Sequence, residues 1–165
     1  MLVQNAINEI IEAENNYETE RGKLMPSLNH SVLQSNINFL LMLNYRDKYR
    51  IASEIALNLS GWNSTPDIAI FPSLSVDFRH DVIKFEQTPL GVIEILSPTQ
   101  NIEELTAKAE MYFLKGVKSY WLVIPTFENI YFFEDAYNYH IFTKKDVLKD
   151  SNLSIELDLK EVFKS

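Results

Sequence analysis

Two carboxylates sit where apolar strands do not readily accommodate them. Asp67 opens the segment Asp67-Ile68-Ala69-Ile70, and Glu94 lies inside Val92-Ile93-Glu94-Ile95-Leu96. A carboxylate in such a run is costly to desolvate unless it is paired, protonated or bound to a cation. Two neighbouring carboxylates also repel, and a divalent cation relieves that repulsion. The plainer readings are a turn residue after proline for Asp67 and an edge position or structural ion pair for Glu94. Lys108 is the third element. On a helix turning about 100° per residue it lies about 60° from Leu105 and about 40° from Tyr112, so it borders the face that carries Ile102, Leu105, Ala109 and Tyr112. Its plainer reading is a surface lysine paired with Glu104 one turn earlier. Glu54 faces away from its strand's apolar side and is a candidate supporting acid; a solvated strand face is the alternative.

These residues need elements to bring them together. Val3 to Glu14 reads as a short amphipathic helix, with Val3, Ala6, Ile7, Ile10 and Ile11 at three- and four-residue steps. Tyr17 to Met25 reads as a strand, bent at Arg21-Gly22 and broken by Pro26-Ser27. Ser27 or Asn29 caps a helix running to about Asn44, with Val32, Leu33, Ile37, Leu40, Leu41 and Leu43 as its buried stripe. Tyr49 to Leu59 is a strand with Ile51, Ile55, Leu57 and Leu59 on one face, and Gly61 to Ser64 is a turn. Ile68 to Phe71 is a short strand, Pro72 to Pro89 an irregular polar excursion, and Leu90 to Leu96 a strand covered on both faces. After Ser97-Pro98-Thr99 a helix runs from about Gln100 to Leu114, and Gly116 stops it. Ser119 to Ile124 is another interior strand. Asn129 to Phe133 and Tyr137 to Phe142 form a hairpin, and a strand or helical turn over Leu153 to Phe163 closes the chain. The pattern predicts one α/β domain over residues 1–165 with a mixed sheet flanked by helices. Because the helix after Glu94 must pack back on its sheet, its first turns pass over the strand end that carries this acid.

The 165 residues contain no cysteine, which excludes disulfides, thiolate metal sites and a cysteine nucleophile. The start has no basic segment or long apolar run, and no stretch approaches a membrane span, so a cytoplasmic protein is expected. The net charge of -8 argues against strong non-specific binding to a polyanion. It suits a site that collects divalent cations. Arg46, Lys48 and Arg50, then Lys115 and Lys118, then Lys144 and Lys145 are the small basic groups from which phosphate contacts would come; plain solubility is the alternative for each.

Four segments carry a family resemblance: Thr65-Pro66-Asp67-Ile68-Ala69-Ile70; Gly91-Val92-Ile93-Glu94-Ile95-Leu96-Ser97-Pro98; Leu105-x-x-Lys108-x-x-x-Tyr112; and Gly116-Val117-x-x-Tyr120-Trp121-Leu122-Val123-x-Pro125. Together they resemble the Uma-two family of bacterial restriction-endonuclease-like proteins in the PD-(D/E)XK nuclease superfamily. Tyr17-Glu18, Gly22, Met25-Pro26-Ser27 and His30 resemble that family's opening segment. The resemblance implies a restriction-endonuclease-like core in which Asp67 and Glu94 bind a divalent cation, Mg²⁺ with Mn²⁺ as a substitute. The superfamily usually places its lysine two residues after the acid, where this chain has Leu96. The family instead supplies it from the next helix, and Lys108 matches. The chain departs from the family at Ile124, where an aspartate often precedes the proline. His30 reads as a cap or packing histidine.

The resulting expectation is a Mg²⁺-dependent endonuclease acting on DNA through Asp67, Glu94 and Lys108, with Glu54 as a supporting acid. The alternatives are a catalytically inactive binding or regulatory module on the same core, and a hydrolase of smaller phosphoesters. A homodimer is expected from the aromatic surface of Tyr131, Phe132, Phe133, Tyr137 and Tyr139.

Overall fold

The computed structural model describes residues 4–12 and 25–165. Residues 4–12 are helical (α1), with Ile7, Ile10 and Ile11 exposed. The strand expected over Tyr17 to Met25 lies outside the described residues except for Met25.

After α1 come α2 (Leu28–Tyr45), β1 (Tyr49–Ser53), β2 (Leu57–Leu59), β3 (Trp62–Ser64), β4 (Ile68–Pro72) and β5 (Gly91–Ile95). They are followed by α3 (Ile102–Leu114), β6 (Ser119–Ile124), β7 (Asn129–Phe133), β8 (Tyr139–Thr143), β9 (Val147–Asp150), β10 (Ile155–Asp158) and α4 (Leu159–Val162). Six strands form one sheet in the order β1-β4-β5-β6-β7-β8. Only the central pair β5–β6 is parallel, and α3 is its crossover. The other pairs are antiparallel, so the sheet is mixed, as expected.

Strand alternation divides the core. Ile68, Ile70, Ile93, Ile95, Trp121 and Val123 pack on one face against Leu33, Ile37 and Leu41 of α2 and against residues of the β9–β10 hairpin and α4. Ala69, Phe71, Val92, Tyr120 and Leu122 pack on the other face against Leu105, Ala109 and Tyr112 of α3 and against the β2–β3 hairpin. Being covered on both sides, β4, β5 and β6 are apolar at nearly every position.

Local signals set the helix bounds. Ser27 caps α2, its hydroxyl accepting from the His30 amide. Asn101 caps α3 by accepting from the Glu103 amide at 2.9 Å, so this helix starts later than the Ser97-Pro98-Thr99 break suggested. Gly116 follows it with φ +96, which glycine adopts without strain.

Several expectations are corrected. Tyr49 to Leu59 is not one strand: Glu54 has φ +50, and this left-handed residue ends β1. Ile51 therefore packs on the α2 side, whereas Ile55, Leu57 and Leu59 pack on the α3 side. Gly61 to Ser64 is more than a turn, because Trp62–Ser64 pairs with Leu57–Leu59. Val32 and Leu43 of α2 face solvent. In the β7–β8 hairpin Phe132 and Phe133 are core while Tyr137 and Tyr139 are exposed, which shrinks the aromatic surface proposed for a dimer.

Candidate active site

β4 and β5 run antiparallel with Ile68 opposite Ile93. One step further along that register sets Asp67 opposite Glu94. Glu94 shares the parity of Val92 and so belongs to the α3 side, whereas Asp67 directly precedes β4 and its side chain meets His30 of α2 at the strand end. Both are nearly inaccessible, at 2% and 1% exposure. The two acids thus lie at the start of β4 and the end of β5, which are neighbours in the sheet.

The crossover helix supplies the third group. Lys108 reaches Glu94, with its Nζ donating to Oε1 at 3.1 Å. The lysine side chain keeps 30% of its surface exposed, so the ammonium bridges a buried carboxylate and solvent. Its partner is Glu94, not Glu104, because α3 packs back over β5 and its Leu105–Ala109–Tyr112 stripe fixes the rotation. Tyr120 locks this packing by donating from its hydroxyl to the Leu105 carbonyl at 2.9 Å.

Two tyrosines floor the same region. The Tyr112 and Ser64 hydroxyls are 2.6 Å apart. Burial pushes the Tyr112 phenol far above its usual range; the negative charges of Glu94 and Asp67 add to this, while the Ser64 hydrogen bond opposes it. Tyr120 is raised by burial first, then by Glu94, Tyr112 and Asp67. Both phenols therefore stay neutral and can only donate or accept hydrogen bonds beside the acids.

Asp67 is gripped from several directions. Its Oδ2 accepts from the Ile95 amide at 2.6 Å, and its Oδ1 lies 3.0 Å from Nε2 of His30. Its main-chain carbonyl accepts from the Glu54 amide at 3.1 Å and from the Gln34 side chain at 3.0 Å. His30 was expected as a cap or packing residue; it is buried against a candidate site acid instead. Gln34 was not foreseen. The signal existed, because on a helix His30 and Gln34 share a face with the buried Ile37 and Leu41.

The sequence reading thus brings Asp67, Glu94 and Lys108 to one place. Glu54 adjoins them through its backbone, and its side chain lines a cleft with Pro26, Ser31, Gln34, Ser35 and Asn38 on the α2 side. Leu96 occupies the superfamily's usual lysine position and packs, partly buried, against the α3-side apolar residues. Ile124 is likewise buried. Of the basic groups, Lys144 is paired with Glu128 at 2.8 Å, and Arg50 donates to the Leu74 carbonyl at 3.2 Å.

Among the described residues no group of three or more His, Cys, Asp or Glu side chains forms a metal cage. The donor set is two carboxylates. That fits Mg²⁺, a hard cation commonly held by one or two carboxylates with water completing its shell, and fits Zn²⁺ poorly.

The Uma2 family, described as "Putative restriction endonuclease", matches residues 6–160. A solved structure described as a "putative nuclease belonging to DUF820 from Anabaena variabilis ATCC 29413" is similar with a TM-score of 0.69 and 21% identity, over 84% of this chain and 82% of that one. The likeness establishes a restriction-endonuclease-like fold. No curated protein matches the chain. No described helix is long and apolar enough to cross a membrane.

Proposed function

Since this chain belongs to the Uma2 family, we propose that it is a metal-dependent endonuclease that hydrolyses DNA phosphodiester bonds through Asp67, Glu94 and Lys108. The observation that carries the reading is the meeting of three side chains remote in sequence: two buried acids on adjacent antiparallel strands, and a lysine 3.1 Å from one of them. Structural ion pairs do not call for a second buried acid directly across the ladder, where like charges are unfavourable.

Asp67 and Glu94 would hold Mg²⁺, with Mn²⁺ as a substitute. Such a cation supplies polarisation of the phosphodiester and activation of a water at neutral pH. Asp67 contributes a carboxylate fixed by donors on both oxygens. Glu94 contributes a second carboxylate and anchors Lys108. The Lys108 ammonium lies at the solvent margin, where it can orient the attacking water or balance charge growing on the phosphoryl oxygens. Tyr112 and Tyr120 close the site behind the acids. Glu54 would be a supporting acid through its side chain in the neighbouring cleft, while its main-chain amide holds the Asp67 carbonyl.

The test is cleavage of plasmid DNA with Mg²⁺ or Mn²⁺ by the parent chain beside three variants. Asp67→Asn, Glu94→Gln and Lys108→Ala should each lower the rate by roughly 10²–10⁴-fold while remaining folded. Glu54→Gln should cost less, about tenfold. A parent that leaves DNA intact with both cations, or a central variant with parental rates, defeats the assignment. The net charge of -8 favours one second reading, an inactive nuclease-fold binding module. It would leave DNA uncut in every arm.

A further inference from the structure

We propose that His30 and Gln34, one turn apart on α2, form a positioning clamp that fixes the Asp67 carboxylate for cation binding. The proposal rests on reading Asp67 as a cation ligand and extends it to a helix on the opposite side of the sheet.

The two residues take different parts of the same amino acid. The His30 ring sets Nε2 3.0 Å from Oδ1, and since a carboxylate only accepts, Nε2 carries the donated hydrogen. The Gln34 amide donates to the Asp67 carbonyl at 3.0 Å. With the Ile95 amide on Oδ2 at 2.6 Å, the side chain is held at both oxygens and the backbone is held beside it. A carboxylate so held cannot swing about its χ angles, and its remaining lone pairs keep one direction. Ligand acids and histidines fixed by outer hydrogen bonds bind metal more tightly for this reason.

Burial distinguishes a clamp from a chance contact. His30 is 4% exposed on a helix face otherwise filled by Leu33, Ile37 and Leu41. An apolar residue would pack there without cost. Its Nδ1 is buried and has no hydrogen-bond partner among the described residues. The ring is therefore retained despite one unsatisfied atom, which costs about 1–3 kcal/mol. The ion-pair contact with Asp67 at 3.0 Å offsets this cost. The helix is in turn anchored at its start, where Ser27 accepts from the His30 amide. The clamp's position along the chain is thereby set within one turn of a capped end.

The test uses His30→Phe, which keeps a ring and removes the donor, and His30→Gln, which restores a donor at similar reach. Two readouts are needed, one without metal. In the metal-free chain, hydrogen exchange at the Ile95 amide reports whether the Asp67 carboxylate stays in place; the Ile93 amide is the internal control. Mn²⁺ affinity, followed by the paramagnetic signal of the free ion, reports the consequence. His30→Phe should speed Ile95 exchange with Ile93 unchanged and weaken Mn²⁺ about 10–100-fold. His30→Gln should recover most of both. Unchanged Ile95 exchange in His30→Phe overturns the clamp. Equal losses in the Phe and Gln variants also overturn it, because ring packing and not donation would then be at stake. Faster Ile95 exchange, rescued by Gln, in a parent that takes up no Mn²⁺ upholds the clamp and defeats the metal reading instead.

Discussion

Buried carboxylates in this chain come in two kinds, and their partners separate them. Asp150 accepts from the Ser119 hydroxyl and the Trp121 indole, each at 2.9 Å, and from the Asn152 and Leu153 amides, each at 3.0 Å. These donors tie β9 to β6 and leave the acid no outlet. Asp67 and Glu94 instead lie where β4 begins and β5 ends, and Glu94 pairs with the partly exposed Lys108 ammonium. Asp150 is thus a structural acid, and Asp150→Asn should destabilise the fold by about 2–3 kcal/mol, because an amide NH₂ would confront the Trp121 donor. Thermal unfolding should fall by roughly 5–10 °C. Burial holds the Asp150 pKa above 3.8 despite its four donors. A raised carboxylate stabilises the fold most when protonated, so this contribution is lost as pH climbs from 3.8 through the raised value. The parent's margin over Asp150→Asn should therefore narrow across that window in unfolding titrations. Of the candidate site residues, Asp67, Glu94 and Lys108 stood out in the sequence because each breaks a local pattern: an acid in an apolar run, or a lysine at the border of a buried stripe. His30 and Gln34 showed only that they share the buried face of α2, since their partner depends on which strand end α2 crosses.

At the scale of elements, α3 is the part that turns a strand acid into a site. It starts at Ile102 after its Asn101 cap, carries Glu103 and Glu104 in its first turn, where the helix dipole favours acids, and presents Lys108 about one turn after Glu104. Asn101→Ala should cost about 1 kcal/mol of stability by removing the cap. Chemical denaturation should register that loss while the cleavage rate stays within about twofold, since the Leu105–Ala109–Tyr112 stripe still fixes the rotation. The doubly covered strands β4, β5 and β6 could be read from the sequence because an interior strand is an apolar run. The break at Glu54 could not, as glutamate gives no warning of a positive φ. The buried face of α2 was legible in Leu33, Ile37, Leu40 and Leu41 but not in its width, since Val32 and Leu43, read as part of the stripe, are exposed. β9 was missed because its four residues alternate exposed and buried and include Lys149 and Asp150.

At the scale of the molecule, a chain of net charge -8 gains more from a bound cation than a neutral one would. Ligand binding to the folded state alone stabilises by mass action, about 2.7 kcal/mol at a hundredfold excess over Kd. Saturating Mg²⁺ should then raise the unfolding midpoint by roughly 5–10 °C, and Asp67→Asn should show no such rise. Equal shifts in both proteins would mean that the cation acts on the general acidic surface. One property of the hairpin-like β4–β5 pair reaches further. Its acids sit where β4 begins and β5 ends, while residues 73–90 join the strands at the other end, about 13–16 Å away at the usual rise per residue. That connection already displays Phe78 and Ile83 to solvent. Lengthening, shortening or replacing it would leave Asp67 and Glu94 where they are, so the connection can vary without disturbing the paired acids.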